Sequence, residues 1–106
     1  MVKQYTVLWY PEAVRTFQNI FQWYKDNLGQ KSANKFRQNI SKTVSLIEGN
    51  PFMGKIDADW RHKRKEFRSL LSFPHYRIIY FVEESTVYIS YIWDNRMNPN
   101  KIDGYP

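Results

Sequence analysis

Apolar residues in the first half of the chain recur first at a strand-like and then at a helix-like spacing. Residues 2–9 alternate in the manner of a short strand, and Pro11 suits the first turn of a helix. Apolar side chains then lie three and four residues apart up to Gly29, the predicted C-terminal stop. A second helix is predicted from about Ser32, as N-cap, to Glu48. The two apolar stripes consist of Val14, Phe17, Phe21, Tyr24 and Leu28, and of Ala33, Phe36, Ile40, Val44 and Ile47.

Three runs in the second half are rich in β-branched and aromatic residues and are typical of strands. They are Phe67–Phe73, Tyr76–Val82 and Thr86–Trp93. Pro74 falls in the first connection, where its missing N–H breaks no ladder bond, and residues 83–85 form the second connection. The pattern predicts an antiparallel meander of three strands.

The order of these elements predicts an α+β fold with the layout β-α-α-β-β-β. Each helix has one apolar face, so the helical hairpin should pack on one face of a small, mainly antiparallel sheet. Residues 50–65 are polar and should form an irregular connection. A chain of 106 residues is long enough for one core, which predicts a single domain over residues 1–106.

Two arginines interrupt the predicted strands. Buried strands rarely carry arginine without a partner, so Arg68 and Arg77 should point to a solvated sheet face opposite the helices. Arg96 follows the last strand and should join them there. Grouped guanidinium groups suit phosphate, because each presents a planar fork of donors. We therefore expect a phosphate clamp, and expect Arg77→Ala to leave the fold intact.

The charge distribution favours an anionic partner. The chain carries a net charge of +6, and residues 61–77 hold six cationic side chains against one acidic one, a net of +5. Such concentration is typical of proteins that bind nucleic acid or an acidic protein surface. The basic run Arg61, Lys63, Arg64 and Lys65 is therefore a candidate for binding RNA or phosphate, the alternative being a solvated loop.

The sequence lacks the signals of several other classes. It contains no cysteine, so disulfides and thiolate chemistry are excluded. Its N-terminus has no secretory h-region, and no apolar run approaches the ~20 residues of a membrane helix. The acidic residues and two histidines form no recognisable metal set, and no phosphate loop is present. We expect a cytoplasmic protein without cofactor, metal or membrane partner.

Four short motifs together resemble the RelE/ParE superfamily of toxins from type II toxin–antitoxin systems. The first is Asn50-Pro51-x-Met53-Gly54, followed by Phe67-Arg68-Ser69-Leu70. The others are Tyr76-Arg77-Ile78-Ile79-Tyr80 and Ile92-Trp93-Asp94-x-Arg96-x-x-Pro99. The likeness covers nearly the whole chain and implies a small sheet with two helices on one face. It also implies a cognate antitoxin as partner.

The resemblance implies one of two mechanisms. RelE-like members cut mRNA on the ribosome with basic residues of the sheet, whereas ParE-like members lack those residues and poison DNA gyrase. Arg68, Arg77 and Arg96 match arginine or basic positions of the RelE-like enzymes. Leu70 stands where those enzymes have a second basic residue, and Tyr105 is the one candidate for their C-terminal tyrosine.

Cleavage by a ribose 2′-hydroxyl also needs groups that move protons. Arginines stabilise phosphate charge but stay protonated, so His75 is the candidate shuttle, with Asp94 or a tyrosine assisting. The alternative is an ordinary exposed histidine at a turn. The catalytic set expected from sequence is thus Arg68, Arg77, Arg96 and His75.

Three functions remain open at this point. Retention of three arginines favours a ribosome-dependent mRNA endoribonuclease that blocks translation. Leu70 and the short tail favour the alternative, a non-enzymatic inhibitor of DNA gyrase. The third reading is an inactive or regulatory member of the superfamily.

Overall fold

The computed structural model describes residues 4–57 and 65–96, which form two helices and five strands. In chain order these are β1 (Thr6–Trp9), α1 (Pro11–Leu28), α2 (Gln30–Gly49), β2 (Lys55–Ile56), β3 (Arg68–Ser72), β4 (Tyr76–Glu83) and β5 (Thr86–Asp94). The predicted α+β class and the order of its main elements are confirmed. The difference is β2, a two-residue strand inside the connection that was predicted to be irregular.

The helical hairpin turns at one glycine. Gly29 has a φ of 95°, in the left-handed region that side chains rarely adopt, and it separates α1 from α2 by a single residue. Its N–H donates to the Lys25 carbonyl, and its own carbonyl accepts from the Ala33 N–H. The second helix therefore begins two residues before Ser32, with Gly29 and not Ser32 at its N-cap.

The sheet has the strand order β1-β5-β4-β3-β2. The three long strands pair antiparallel as predicted, and β2 adds to the outer side of β3. Strand β1 pairs parallel to β5, with Thr6 opposite Thr86. The helical crossover between β1 and the rest of the sheet accounts for this parallel pair.

The core between helices and sheet is aromatic and branched. Phe36, Ile40 and Ile47 of α2 are buried against strand residues that include Ile78 and Ile92. From α1, the buried residue is Ala13, with half-buried aromatic residues beside it, whereas the ends of its predicted stripe, Val14 and Leu28, are exposed. Burial of each large apolar side chain contributes about 1.5–3 kcal/mol, so this interface holds the hairpin to the sheet.

The second face of the sheet is not the open basic surface that the sequence predicted. It carries a separate buried cluster of Phe67, Ile79, Phe81, Tyr91 and Trp93. Along β4 these residues alternate with those that face the helices, as the two-residue period of a strand requires. Along β5 the alternation changes phase at an irregularity of the register, where Ile79 pairs with Tyr91 and Tyr80 with Ile89. The sheet is therefore apolar on both faces, and an arginine placed there has apolar neighbours.

Candidate functional site

Arg68 lies at the edge of the helical face of the sheet and binds main-chain carbonyls. Its Nη1 donates to Gly54 O at 2.9 Å and lies 3.4 Å from Phe52 O. Its guanidinium also lies 5.2 Å from the centre of the Phe52 ring and 3.3 Å from a carboxylate oxygen of Glu66. The side chain is 18% exposed, so the expectation of a solvated arginine is wrong at this position. Arg68 instead fastens residues 52–54 to the sheet.

Arg77 lies on the other face of the sheet, in a buried ion pair. Its Nη1 is 2.8 Å from Oδ2 of Asp57, and their side chains are 15% and 1% exposed. Asp57 follows β2, and its N–H donates to Phe67 O at 2.9 Å, which aligns this segment with the chain entering β3. The prediction of a solvated Arg77 is therefore wrong. Sequence reasoning missed Asp57, because the residue lies in a connection that was treated as irregular.

The strand register separates the two arginines. Arg68 is opposite Tyr80, whose side chain belongs to the core under the helices. Arg77 is opposite Trp93, which belongs to the cluster on the second face. Residues directly opposite in an antiparallel pair point to the same side of a sheet. The predicted clamp of Arg68, Arg77 and Arg96 on one surface is not formed.

Tyr80 explains the motif that ends in Gly54. The Tyr80 hydroxyl donates to Pro51 O at 2.7 Å and accepts from the Gly54 N–H at 3.0 Å. A Cβ on Gly54 would lie 2.4 Å from this hydroxyl and 2.8 Å from Ser69 O, so only glycine fits. Burial raises the pKa of Tyr80, so its hydroxyl stays protonated and keeps donating. The motif thus closes the loop after α2, which is a structural role.

Arg96 joins Asp94 at the end of β5, where titratable side chains gather. Arg96 Nη2 donates to Asp94 Oδ2 at 2.7 Å, and its Nε donates to Oδ1 at 3.1 Å. Burial raises the pKa of Asp94, but the bonds and charge of Arg96 and the charge of His75 outweigh it and lower that pKa overall. The hydrogen bond to Asp94 in turn raises the pKa of Arg96. Arg96 is 65% exposed, so its guanidinium is open to solvent although Asp94 already balances its charge.

His75 lies beside this pair without joining it by a hydrogen bond. Its Nε2 is 3.9 Å from Asp94 Oδ2, an ion-pair distance that is too long for a hydrogen bond. Its ring lies 4.4 Å from that of Tyr76, whose hydroxyl donates to the Tyr24 hydroxyl at 3.0 Å. Burial, and next the bond with Tyr24, raise the pKa of Tyr76. A cavity of about 280 Å³ opens beside the cluster, lined by Asn19, Ile20, Trp23, Tyr76, Asp94 and Arg96.

The basic run is described only at its last residue. Lys65 is bound to Glu83, and its Nζ lies 4.9 Å from the centre of the Phe81 ring. Arg61, Lys63 and Arg64 lie outside the described residues, as does Tyr105. Leu70 packs against the helical core. Of the predicted site residues that the structure describes, Arg96 and His75 gather at Asp94, and Lys65 and Arg68 line one cavity of about 120 Å³.

Two wider properties concern the described part of the chain. Within residues 4–57 and 65–96, neither helix is long and apolar enough to cross a membrane. Across the same residues, no group of three histidines or acidic side chains is arranged to hold a metal ion.

Comparisons with known proteins agree with this architecture. A family model described as the ParE toxin of type II toxin–antitoxin system, parDE, matches residues 7–99. Among solved structures, the chain is similar to one described as the chromosomal ParDE TA system from P. aeruginosa, with a TM-score of 0.70. That likeness has 17% sequence identity and covers 86% of this chain and 96% of the other, so it shows the fold alone. Comparison with curated protein sequences finds no match. Because the family model spans most of its length, the chain belongs to the family of ParE toxins of type II toxin–antitoxin systems.

Proposed function

We propose that this toxin inhibits growth by poisoning DNA gyrase, without cutting RNA. The observation that carries the proposal is the division of the predicted phosphate clamp: Arg68 and Arg77 lie on opposite faces of the sheet. An RNA phosphate in contact with one of them is out of reach of the other. This favours the ParE-like activity over the ribonuclease that the three arginines suggested from sequence.

Both strand arginines are also occupied by structural contacts. A phosphate at Arg77 would compete with Asp57, whose carboxylate is almost fully buried beside it. Breaking such a pair costs about 3–5 kcal/mol, which is large beside the 1.5–3 kcal/mol of a typical hydrogen bond to a charged group. Arg68 would likewise have to release the Gly54 carbonyl.

Among residues 4–57 and 65–96, the candidate proton-transfer groups are not joined by hydrogen bonds, which counts against a ribonuclease site. Leu70 packs in the core where RelE-like enzymes place a basic residue. His75 is not hydrogen-bonded to Asp94, and the charge of Arg96 is already balanced by that carboxylate. Gyrase inhibition requires none of these groups, because it depends on binding.

The neutralising partner in this proposal is a cognate antitoxin, as expected for a toxin of this class. We further propose that the toxin acts in the cytoplasm as a single domain over residues 1–106. The net charge of +6 favours an acidic antitoxin segment and speeds its association.

A paired assay with the purified toxin tests the target. The first arm measures supercoiling of relaxed plasmid by gyrase, and the linear DNA released from gyrase by detergent and protease. The second arm maps mRNA ends in a reconstituted translation reaction. We expect lost supercoiling and more linear DNA, with no new mRNA ends. New ribosome-dependent mRNA ends with unchanged gyrase would overturn the proposal.

The ribonuclease is the second candidate, and the cluster around Arg96 is the observation that favours it. Arg96 is exposed beside His75 and Asp94 at the mouth of a cavity. If RNA were cut there, Arg96→Ala would abolish cleavage while Arg15→Ala would not. Arg15 is a matched control, because it is 62% exposed and is also paired with a nearby acid, Glu12.

A further inference from the structure

The outer edge of β3 is only partly covered by β2. Lys55 lies opposite Ser69, and the Asp57 N–H donates to Phe67 O, so the outward main-chain groups of β3 belong to residues 67, 69 and 71. The ladder ends at Lys55, because the chain turns away before it and the Met53 N–H donates to Asn50 O. The N–H and C=O of Leu71 consequently point away from β4, and no described residue pairs with them there.

The side chains at this open edge are apolar and exposed. Leu71 is 72% and Phe73 70% exposed, the two highest values among the large apolar residues of the described chain. An edge strand with free main-chain groups is a template for another strand, and apolar side chains next to it add affinity. The edge from Ser69 to Ser72 spans about 10 Å at the usual rise of a strand, and Phe73 lies in the turn that follows it.

Positive charge stands at both ends of this edge. Lys55 pairs with Ser69 at one end, and it is exposed. At the other end Lys35 of α2 shares a cavity of about 160 Å³ with Phe73 and Pro74. Lysines at a strand edge also discourage pairing with another copy of the same chain, because the like charges meet. An acidic strand, by contrast, is attracted to this edge by both lysines.

We propose that the open edge of β3 binds an extended, acidic segment of a partner protein as an added strand at Leu71. The segment exchanges main-chain hydrogen bonds with Leu71 and packs apolar side chains on Leu71 and Phe73. Its carboxylates lie near Lys35 and Lys55. This inference goes beyond the proposed function, since it does not depend on gyrase or on any other target.

Synthetic peptides test the proposal by fluorescence anisotropy. The probes are a fluorescein-labelled decapeptide that alternates valine with glutamate, the same peptide with every main-chain amide N-methylated, and one that alternates valine with lysine. We expect the acidic peptide to bind the full-length toxin, and N-methylation to weaken binding about tenfold, since the hydrogen bond to the Leu71 carbonyl is lost and the methyl groups obstruct the approach to the edge. The lysine peptide should not bind.

Variants of the toxin locate the binding edge. Leu71→Pro removes the outward N–H without removing a bond to β4, and should also weaken the acidic peptide about tenfold. Leu71→Thr keeps the N–H and should weaken it less. Lys35→Glu with Lys55→Glu should weaken it about fivefold at low salt, whereas the matched reversal of Arg15 and Lys25, both exposed on α1, should not.

Three results would overturn the proposal. One is that the N-methylated or the lysine peptide binds the wild-type toxin as tightly as the acidic peptide does. This comparison does not require Leu71→Pro to fold. Another is a charge effect that is the same for both pairs of lysines. The third is a dimer in sedimentation that Leu71→Thr or Leu71→Pro dissolves, because a second copy of the chain would then occupy the edge.

Discussion

Replacing Arg77 by methionine should destabilise the toxin strongly, although the sequence alone suggested a harmless change. The substitution keeps the length of an apolar stem and removes the charge that faces Asp57 at 2.8 Å. The Asp57 side chain is 1% exposed, so water cannot replace the lost partner. Removing one member of a buried ion pair costs about 3–5 kcal/mol. That is a large part of the 5–15 kcal/mol by which a domain of this size is usually stable.

Urea unfolding followed by circular dichroism measures this loss. Arg77→Met should lower the free energy of unfolding by about 3–5 kcal/mol with little change in slope. Arg15→Met is the control, because the Arg15–Glu12 pair is exposed and should contribute under about 1 kcal/mol. The double variant Arg77→Met with Asp57→Leu should recover much of the loss, since apolar replacement of both partners removes the buried charge.

Two results would refute this reasoning. A loss below about 1 kcal/mol in Arg77→Met would mean that the pair behaves as an exposed one. A double variant that loses as much as the two single variants combined would mean that the partners act independently. In either case Arg77 would again be available for a ligand.

Three further predictions concern the loop after α2 and the end of β5. Gly54→Ala should destabilise the protein by about 1–3 kcal/mol, because its Cβ meets Tyr80 and Ser69; Ser69→Ala, which keeps the main-chain oxygen, should not relieve the loss. Tyr80→Phe should cost about 1–3 kcal/mol by leaving buried main-chain groups without a partner, and thermal unfolding would show it. The pKa of Asp94 is lowered in the folded state, so its stabilising effect is complete at neutral pH and is lost as the pH falls through about 4 and below. Unfolding measured against pH should show this acid-side loss in the wild type and less of it in Asp94→Asn; equal losses would contradict the role of Arg96.

Most of the fold follows from local patterns in the sequence. The stripes of α2, the glycine between the helices and the three aromatic strands each specify an element through side-chain spacing alone. The parallel position of β1 and the short β2 do not follow from such patterns. They depend on which strand lies beside them, and residues 55–56 carry too little sequence to signal a strand.

The candidate site could not be predicted in the same way, because it depends on register. Arg68 and Arg77 lie nine residues apart across a turn, and their relative orientation is set by the pairing of Ser72 with Tyr76. A pairing shifted by one residue would have placed both arginines on one face of the sheet. Side-chain spacing within each strand is the same in both cases, so the sequence pattern does not distinguish them.

The burial of Arg77 shows why the sequence pattern wrongly predicted a solvated arginine. An arginine within an apolar strand was taken as a sign of a solvated face, on the premise that a buried arginine needs a partner. The premise holds, but the partner comes from a loop: Asp57 is brought against Arg77 by the two bonded residues of β2. An arginine within an apolar strand therefore has two interpretations: it lies on an exposed face, or it pairs with a buried acid from a neighbouring polar connection. In this toxin it changes the functional conclusion, because an arginine that holds the fold together is not free to hold a phosphate.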